Sequence, residues 1–155
     1  MSEKRITKIL VDLGCADKPF KKWAIGIDRQ KFDFENFIHG DYLSDETINK
    51  LKEKLSGEKI DILHSAYSLC FNKPEKLKEY LPKYFALMSN KSKFIIDDFG
   101  PSEDVVKNHT HVDDMQDFFL KYFKKINLTE ERKVMDNDKK LGNHFHWILR
   151  IVLTK

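Results

Sequence analysis

Residues 7–28 read TKILVDLGCADKPFKKWAIGID, an apolar run closing in Asp-Leu-Gly, a short polar turn, and a second apolar run closing in Asp. Two short buried strands joined by a glycine-bearing turn are a common opening for a nucleotide-binding sheet. The turn itself excludes most such sheets. A dinucleotide site carries G-x-G-x-x-G and a phosphate loop carries G-K-[ST], whereas Gly14 is followed here by Cys15, Ala16, Asp17, Lys18 and Pro19. Nine residues, Cys15 to Trp23, separate Gly14 from the second run, room for one helical turn at most.

Working outward, Asn36 to Tyr42 (NFIHGDY) reads as a weaker third strand. Ser44 then opens S-D-E-T, an N-cap with acids in the first turn, followed by Ile48, Leu51 and Leu55 at helical spacing and Gly57 as the stop. Lys59 to Phe71 starts as a buried strand and leaves it in its second half. Pro74 opens a helix carrying Leu77, Leu81, Tyr84, Phe85 and Met88, which Pro82 is expected to bend or split. Lys93 to Phe99 is a strand ended by Gly100-Pro101, and residues 101–110 are loop. His111 to Lys124 is an amphipathic helix, and Lys125 to Glu131 and His144 to Thr154 are strands joined by the polar stretch 135–143. The order β β β α β α β α β β predicts an α/β fold with a mostly parallel sheet and a terminal hairpin, one domain over 1–155.

Composition agrees. The chain has 155 residues, 41% hydrophobic and 34% charged, and no apolar run approaching the ~20 residues that span a bilayer. MSEKRITK at the start lacks the apolar segment of a secretory signal, and Cys15 and Cys70 form neither a disulfide framework nor a C-x-x-C pair, so a reducing, cytoplasmic setting is expected. Only four of the 28 basic residues are Arg and the net charge is +3, which disfavours Arg-led base reading while leaving a nucleic-acid partner open.

In an open α/β sheet the ligand sits beyond the carboxyl ends of the strands. The first strand delivers Asp12, Gly14, Cys15 and Ala16 there; the second, Asp28; the third, Asp41 and Tyr42; the fourth, Ser65, Ala66 and Tyr67. Acids at three of the four ends repel a phosphate and suit a ligand with hydroxyls and positive charge. Asp28 is placed to accept hydrogen bonds from both hydroxyls of a ribose.

Taken in order, these stretches resemble the motifs of class I, Rossmann-like, S-adenosylmethionine-dependent methyltransferases. Residues 9–28 resemble the first two motifs, HGDY at 39–42 the acidic third, and DILHSAYSLCF at 61–71 the fourth. KFIIDDFGP resembles the strand after it, and NHFHWILRIVLTK the antiparallel last strand. The likeness covers nearly the whole chain, which it identifies as a small and degenerate member. It implies a three-layer, mostly parallel Rossmann-like sheet with an antiparallel C-terminal strand and shortened helices after strands 1 and 2.

The same resemblance implies S-adenosyl-L-methionine as cofactor. Gly14, Cys15 and Ala16 would face its methionine part, and Asp12 would steady the turn or the amino group. Asp28, with Arg29 beside it, would hold the ribose; Asp41 and Tyr42 would flank the adenine; Ser65, Ala66 and Tyr67 would line the floor by the sulfonium, where an aromatic face suits a cation. Ala16 stands where the family has a second glycine. The implied activity is methyl transfer to a small-molecule or macromolecular acceptor, with Tyr67, His64, His109 and His111 as candidate catalytic residues and Asp97 as a further candidate base. With no cap domain, a second protomer or a large substrate would complete the acceptor site.

Two other readings stay open. One is a non-catalytic subunit that keeps the scaffold. The other is a metal-dependent hydrolase using the H-x-H pairs His109/His111 and His144/His146, although the leading reading has no metal.

Overall fold

The computed structural model describes residues 8–17, 19–100, 110–138 and 142–155, with residues 133–138 and 142–146 described by backbone alone. The strands are β1 (Leu10–Leu13), β2 (Ile25–Asp28), β3 (Phe37–His39), β4 (Ile60–Ala66), β5 (Met88–Phe99), β6 (Lys125–Asp138) and β7 (Gly142–Thr154), and they form one sheet in the order β3-β2-β1-β4-β5-β7-β6. The first five pair in parallel; β7 runs antiparallel to both β5 and β6. The order reverses at β1, whose neighbours are β2 and β4, creating a switch point of the kind where such sheets bind ligands.

Register assigns the two faces. Ile25, Val11, Leu63, Phe94, Leu153 and Ile126 pair in one row across six strands. This row faces the helices α1 (Asp45–Leu55), α2 (Pro74–Phe85) and α3 (Gln116–Phe119), whose Ile48, Leu51, Leu77, Leu81 and Phe119 share its hydrophobic cluster. Phe85 sits among aromatics there, its ring 4.8 Å from Phe123 and 5.7 Å from Phe94. The opposite face reads differently: Gly26, Asp12, His64, Ile95, Val152 and Asn127 form one row, and Ala66, Asp97, Arg150 and Thr129 the next. The turns 14–24 and 29–36 carry no α-helix among the described residues. They supply the third layer as irregular chain, with Phe20 stacked on His64 and Phe32 and Phe34 against Phe37. The expected shortening of the first two helices is therefore carried to its limit.

Several boundaries differ from the sequence reading for local physical reasons. The first helix stops one residue early, at Ser56, which takes a left-handed conformation (φ 49°) ahead of Gly57. The second is not split by Pro82 and continues to Phe85, with Leu81, Tyr84 and Phe85 buried on both sides of the proline. The helix expected over His111 to Lys124 is a 3₁₀ turn, Val112–Met115, followed by the single-turn α3; beyond it Leu120 and Tyr122 are exposed while Phe123 turns back to Phe85. Strand β5 begins at Met88 rather than Lys93, and the terminal hairpin extends through most of 135–143, since an antiparallel ladder satisfies backbone groups whatever the side chains. Among the described residues, no helix is long and apolar enough to cross a membrane.

Candidate functional site

A cleft of about 380 Å³ opens beyond the carboxyl ends of β1, β2 and β4, lined by Gly14, Ala16, Asp28, Arg29, Gln30, Tyr42, Tyr67, Ser68, Phe71 and Asn72. Its volume falls within the usual range for small-molecule sites. Local backbone geometry builds it. Gly14 leaves β1 at φ 68°, its N–H and that of Cys15 both donating to the Ile27 carbonyl (2.8 and 3.2 Å). Ala16 follows at φ 50°, its N–H donating to Asp28 Oδ2 at 2.9 Å, while Asp28 Oδ1 accepts from Gln30 N–H at 2.9 Å. On the far wall, Tyr67 leaves β4 at φ 52° with its N–H on the Asp97 carbonyl (2.8 Å). Two of the four described non-glycine residues with positive φ thus line this one cleft, and such strain concentrates at functional sites.

Tyr42 forms the floor. Its phenol oxygen lies 2.8 Å from Ser68 Oγ and accepts from Asn72 Nδ2 at 2.8 Å, and burial holds its pKa up at about 12 despite those bonds. The Tyr84 hydroxyl donates to the Tyr42 carbonyl from below. At the mouth, Phe71 is 69% exposed, an apolar ring that the core does not use.

Of the residues expected at the site, Gly14, Ala16, Asp28, Arg29, Tyr42 and Tyr67 come together around this cleft, and Asp12, Cys15, Asp41, Ser65 and Ala66 lie off it. Each departure has a cause. Asp12 points to the helix-free face, where its oxygens accept from the His64 ring and from Phe20 N–H. Cys15 is buried with its sulfur against Gly26, and burial, with Asp12 and Asp28 nearby, pushes its thiol up to about 12. Asp41 is spent on Arg29 (3.3 Å), Lys76 (3.6 Å) and the Leu43 N–H. Ser65 is fully buried and donates to the Leu13 carbonyl; Ala66 sits opposite Asp97 in the sheet.

The catalytic candidates separate in the same way. Tyr67 lines the cleft, and burial, then Asp97 and Asp98, raise its phenol pKa. His64 is buried between two carboxylates outside the cleft, and Asp97 is held by Arg150. His111 begins the turn at Val112–Met115 and does not line the cleft. His109 and the side chains of His144 and His146 lie outside the described residues, among which no group of three or more His, Cys, Asp or Glu is placed to hold a metal ion. Cys70 is buried, and burial and Asp98 raise its thiol pKa, so neither cysteine is set up as a nucleophile.

Gln30, Ser68, Phe71 and Asn72 are cleft residues that sequence reasoning passes over. Their signal is faint: Ser68 and Asn72 are four residues apart, and the 3₁₀ turn at Leu69–Phe71 brings both onto Tyr42.

No family model matches the chain, and no curated protein matches it in sequence. Solved structures do match. A SAM-dependent methyltransferase from Archaeoglobus fulgidus aligns with a TM-score of 0.67 at 16% identity, over 96% of this chain and 86% of that one. One from Anabaena variabilis aligns with a TM-score of 0.64 at 10% identity, over 95% and 76%. An rRNA methylase from Streptococcus thermophilus aligns with a TM-score of 0.53 at 11% identity, over 95% and 86%. The chain has the class I, Rossmann-like methyltransferase fold.

The structure also qualifies Ala16. Its φ of 50° is a left-handed conformation that glycine adopts freely, so Ala16→Gly is expected to stabilise the protein by about 0.5–1 kcal/mol, read as a rise in the urea midpoint. An unchanged or lower midpoint would show that the alanine side chain contributes packing that outweighs its backbone strain.

Proposed function

We propose that the chain binds S-adenosyl-L-methionine in the switch-point cleft and transfers its methyl group to an acceptor. The observation that carries this is the placing of Gly14 and Asp28 side by side at the cleft, at the ends of the paired strands β1 and β2. Ser68, whose Oγ would lie 2.3 Å from a Cβ at Gly14, and the positive φ keep that part of the cleft as bare backbone, and Asp28 presents a carboxylate at the end of β2 whose oxygens, each already taking one backbone N–H, retain capacity for hydroxyl donors. The turn has no phosphate-binding pattern to compete with this fit.

When bound, the cofactor supplies an electrophilic methyl carbon. The protein's part is to orient and to exclude water. Gly14 and Ala16 would offer close backbone to the methionine end, Asp28 would accept from the ribose, and Arg29 and Gln30 would border the adenine. The Tyr67 face would meet the sulfonium, a cation–π contact. Phe71 stands at the acceptor mouth, which is open enough that the acceptor itself, or a second copy of the chain, would close it. A cytoplasmic setting goes with two free, buried cysteines.

Calorimetric titration with S-adenosylhomocysteine tests the reading. Micromolar affinity is expected, weakened about 10–100-fold by Asp28→Ala, in line with the 1.5–3 kcal/mol of a charge-assisted hydrogen bond. Asp28→Asn should fall between, since it keeps an acceptor without the charge. No binding at millimolar ligand would overturn the proposal; binding without turnover on any acceptor would make the chain a binding subunit.

A further inference from the structure

On the helix-free face, four charged side chains are strung across β1, β4, β5 and β7. His64 places Nδ1 2.8 Å from Asp12 Oδ1 and Nε2 3.4 Å from Asp97 Oδ2, and Asp97 in turn takes two bonds from Arg150, at 2.7 and 2.9 Å. The chain continues in the other direction. The second oxygen of Asp12 accepts the Phe20 N–H at 2.7 Å, and the Phe20 ring lies on the His64 imidazole, centroids 4.2 Å apart and planes 21° from parallel. Phe20 belongs to the turn 14–24, which carries Gly14 and Ala16 into the cleft. His64 therefore holds that turn twice, through Asp12 and through its own ring.

We infer that His64 is a positioning residue: clamped between Asp12 and Asp97, it fixes the turn 14–24 against the sheet and so sets the cleft wall formed by Gly14 and Ala16. Its relevance to cofactor binding rests on the function proposed above; its effect on the turn does not. A carboxylate opposite each ring nitrogen requires a donor on both, which only the imidazolium supplies. Burial alone would lower the pKa, but the bonds to Asp12 and Asp97 and their charges prevail and hold it at about 9. The other groups facing this cluster are Arg150 behind Asp97, Glu131 beside Arg150, the Tyr67 phenol near Asp97 and Arg150, the Cys15 thiol near Asp12, which burial and that carboxylate keep protonated through this range, and the Lys21 ammonium, 5.4 Å from the Phe20 ring. When His64 loses its proton, one nitrogen presents a lone pair to a carboxylate oxygen, and the clamp opens on that side.

The test is amide hydrogen exchange, normalised to intrinsic rates, on wild type and on His64→Gln, with urea unfolding as the measure of global stability. In wild type, protection at Phe20 and its neighbours should fall by tenfold or more between pH 8 and pH 10 while α2 stays protected. His64→Gln should show the low protection already at pH 7, with no step above it. The wild-type titration needs no variant, so a misfolded variant leaves the inference testable. S-adenosylhomocysteine affinity should follow the same pH step in wild type and be flat in the variant. If wild type does not bind that ligand, the functional reading falls and the exchange data still decide this one. Protection that changes equally everywhere, or not at all around Phe20, would overturn it and leave His64 a structural residue.

Discussion

Gly14→Val is expected to abolish S-adenosylhomocysteine binding and to lower the unfolding free energy by about 2–5 kcal/mol, the sum of two penalties. The backbone at Gly14 has φ 68°, a region that costs a side-chain-bearing residue about 1–2 kcal/mol and a β-branched one more. In addition, any Cβ would stand 2.3 Å from Ser68 Oγ and 2.7 Å from Ser68 Cβ. Ser68 cannot simply turn away, because its hydroxyl meets the buried Tyr42 phenol oxygen at 2.8 Å and Tyr42 is tied in turn to Asn72. Relieving the overlap would push the wall carrying Ser68 and Asn72 out of the cleft, which is why binding and stability should fall together. Urea unfolding and calorimetry measure the two losses. Making Gly14→Ala in a Ser68→Gly background and comparing it with Ser68→Gly alone separates them: the overlap disappears and the backbone term of about 1–2 kcal/mol stays. A loss below about 1 kcal/mol in Gly14→Val would mean that the turn is not seated on Ser68 as described.

Asp97→Ala should be the most damaging change on the opposite face. Its carboxylate, with the side chain only 14% exposed, is shared between buried His64 and Arg150. Breaking a buried ion pair from one side typically costs 3–5 kcal/mol; with the Arg150 side chain 54% exposed and able to turn to water, about 2–3 kcal/mol is expected here. The pH dependence follows from the two shifts. For Asp97, burial would raise the pKa, but His64 and Arg150 lower it from 3.8 to about 2, so its contribution is present above pH 3.8 and is lost as pH falls toward 2. For His64 the folded pKa is raised from 6.5 to about 9, so its contribution is complete below pH 6.5 and is lost as pH rises through 9. Stability from this cluster should therefore be greatest between about pH 4 and 6.5. In Asp97→Ala, His64 loses a partner and the alkaline fall should begin at lower pH. Urea midpoints at pH 3, 6 and 9.5 compare the two proteins, and identical alkaline profiles would contradict the coupling.

Elements whose stability is local could be read directly. Ser44 caps the first helix, its hydroxyl accepting from Thr47 N–H at 3.3 Å, and Ile48, Leu51 and Leu55 are buried on one face, as their spacing predicts. The parallel placing of β4 and β5 follows from the alternation of helices and strands through the middle of the chain, whereas β1, β2 and β3 run parallel with only irregular turns between them. Where a boundary depended on a distant partner, the reading slipped. Phe123 joins Phe85 rather than extending a helix, and β6 and β7 continue into a polar stretch because each satisfies the other's backbone.

The candidate site divides along the same line. Sequence by itself determined that Gly14, Asp28 and Tyr67 stand at or just past the ends of β1, β2 and β4, because an apolar run giving way to polar residues marks where a buried strand stops; Tyr42, read as the end of the third strand, lies three residues beyond it. Only the tertiary structure decided which way those residues face and whom they meet. Asp12, read as a ligand residue, is paired with a histidine 52 positions away, and Asp97 with an arginine 53 positions away. Those pairings come from sheet register. A one-residue slip would move each side chain to the other face, and register is settled when buried rows such as Val11, Leu63, Phe94 and Leu153 align across the whole sheet.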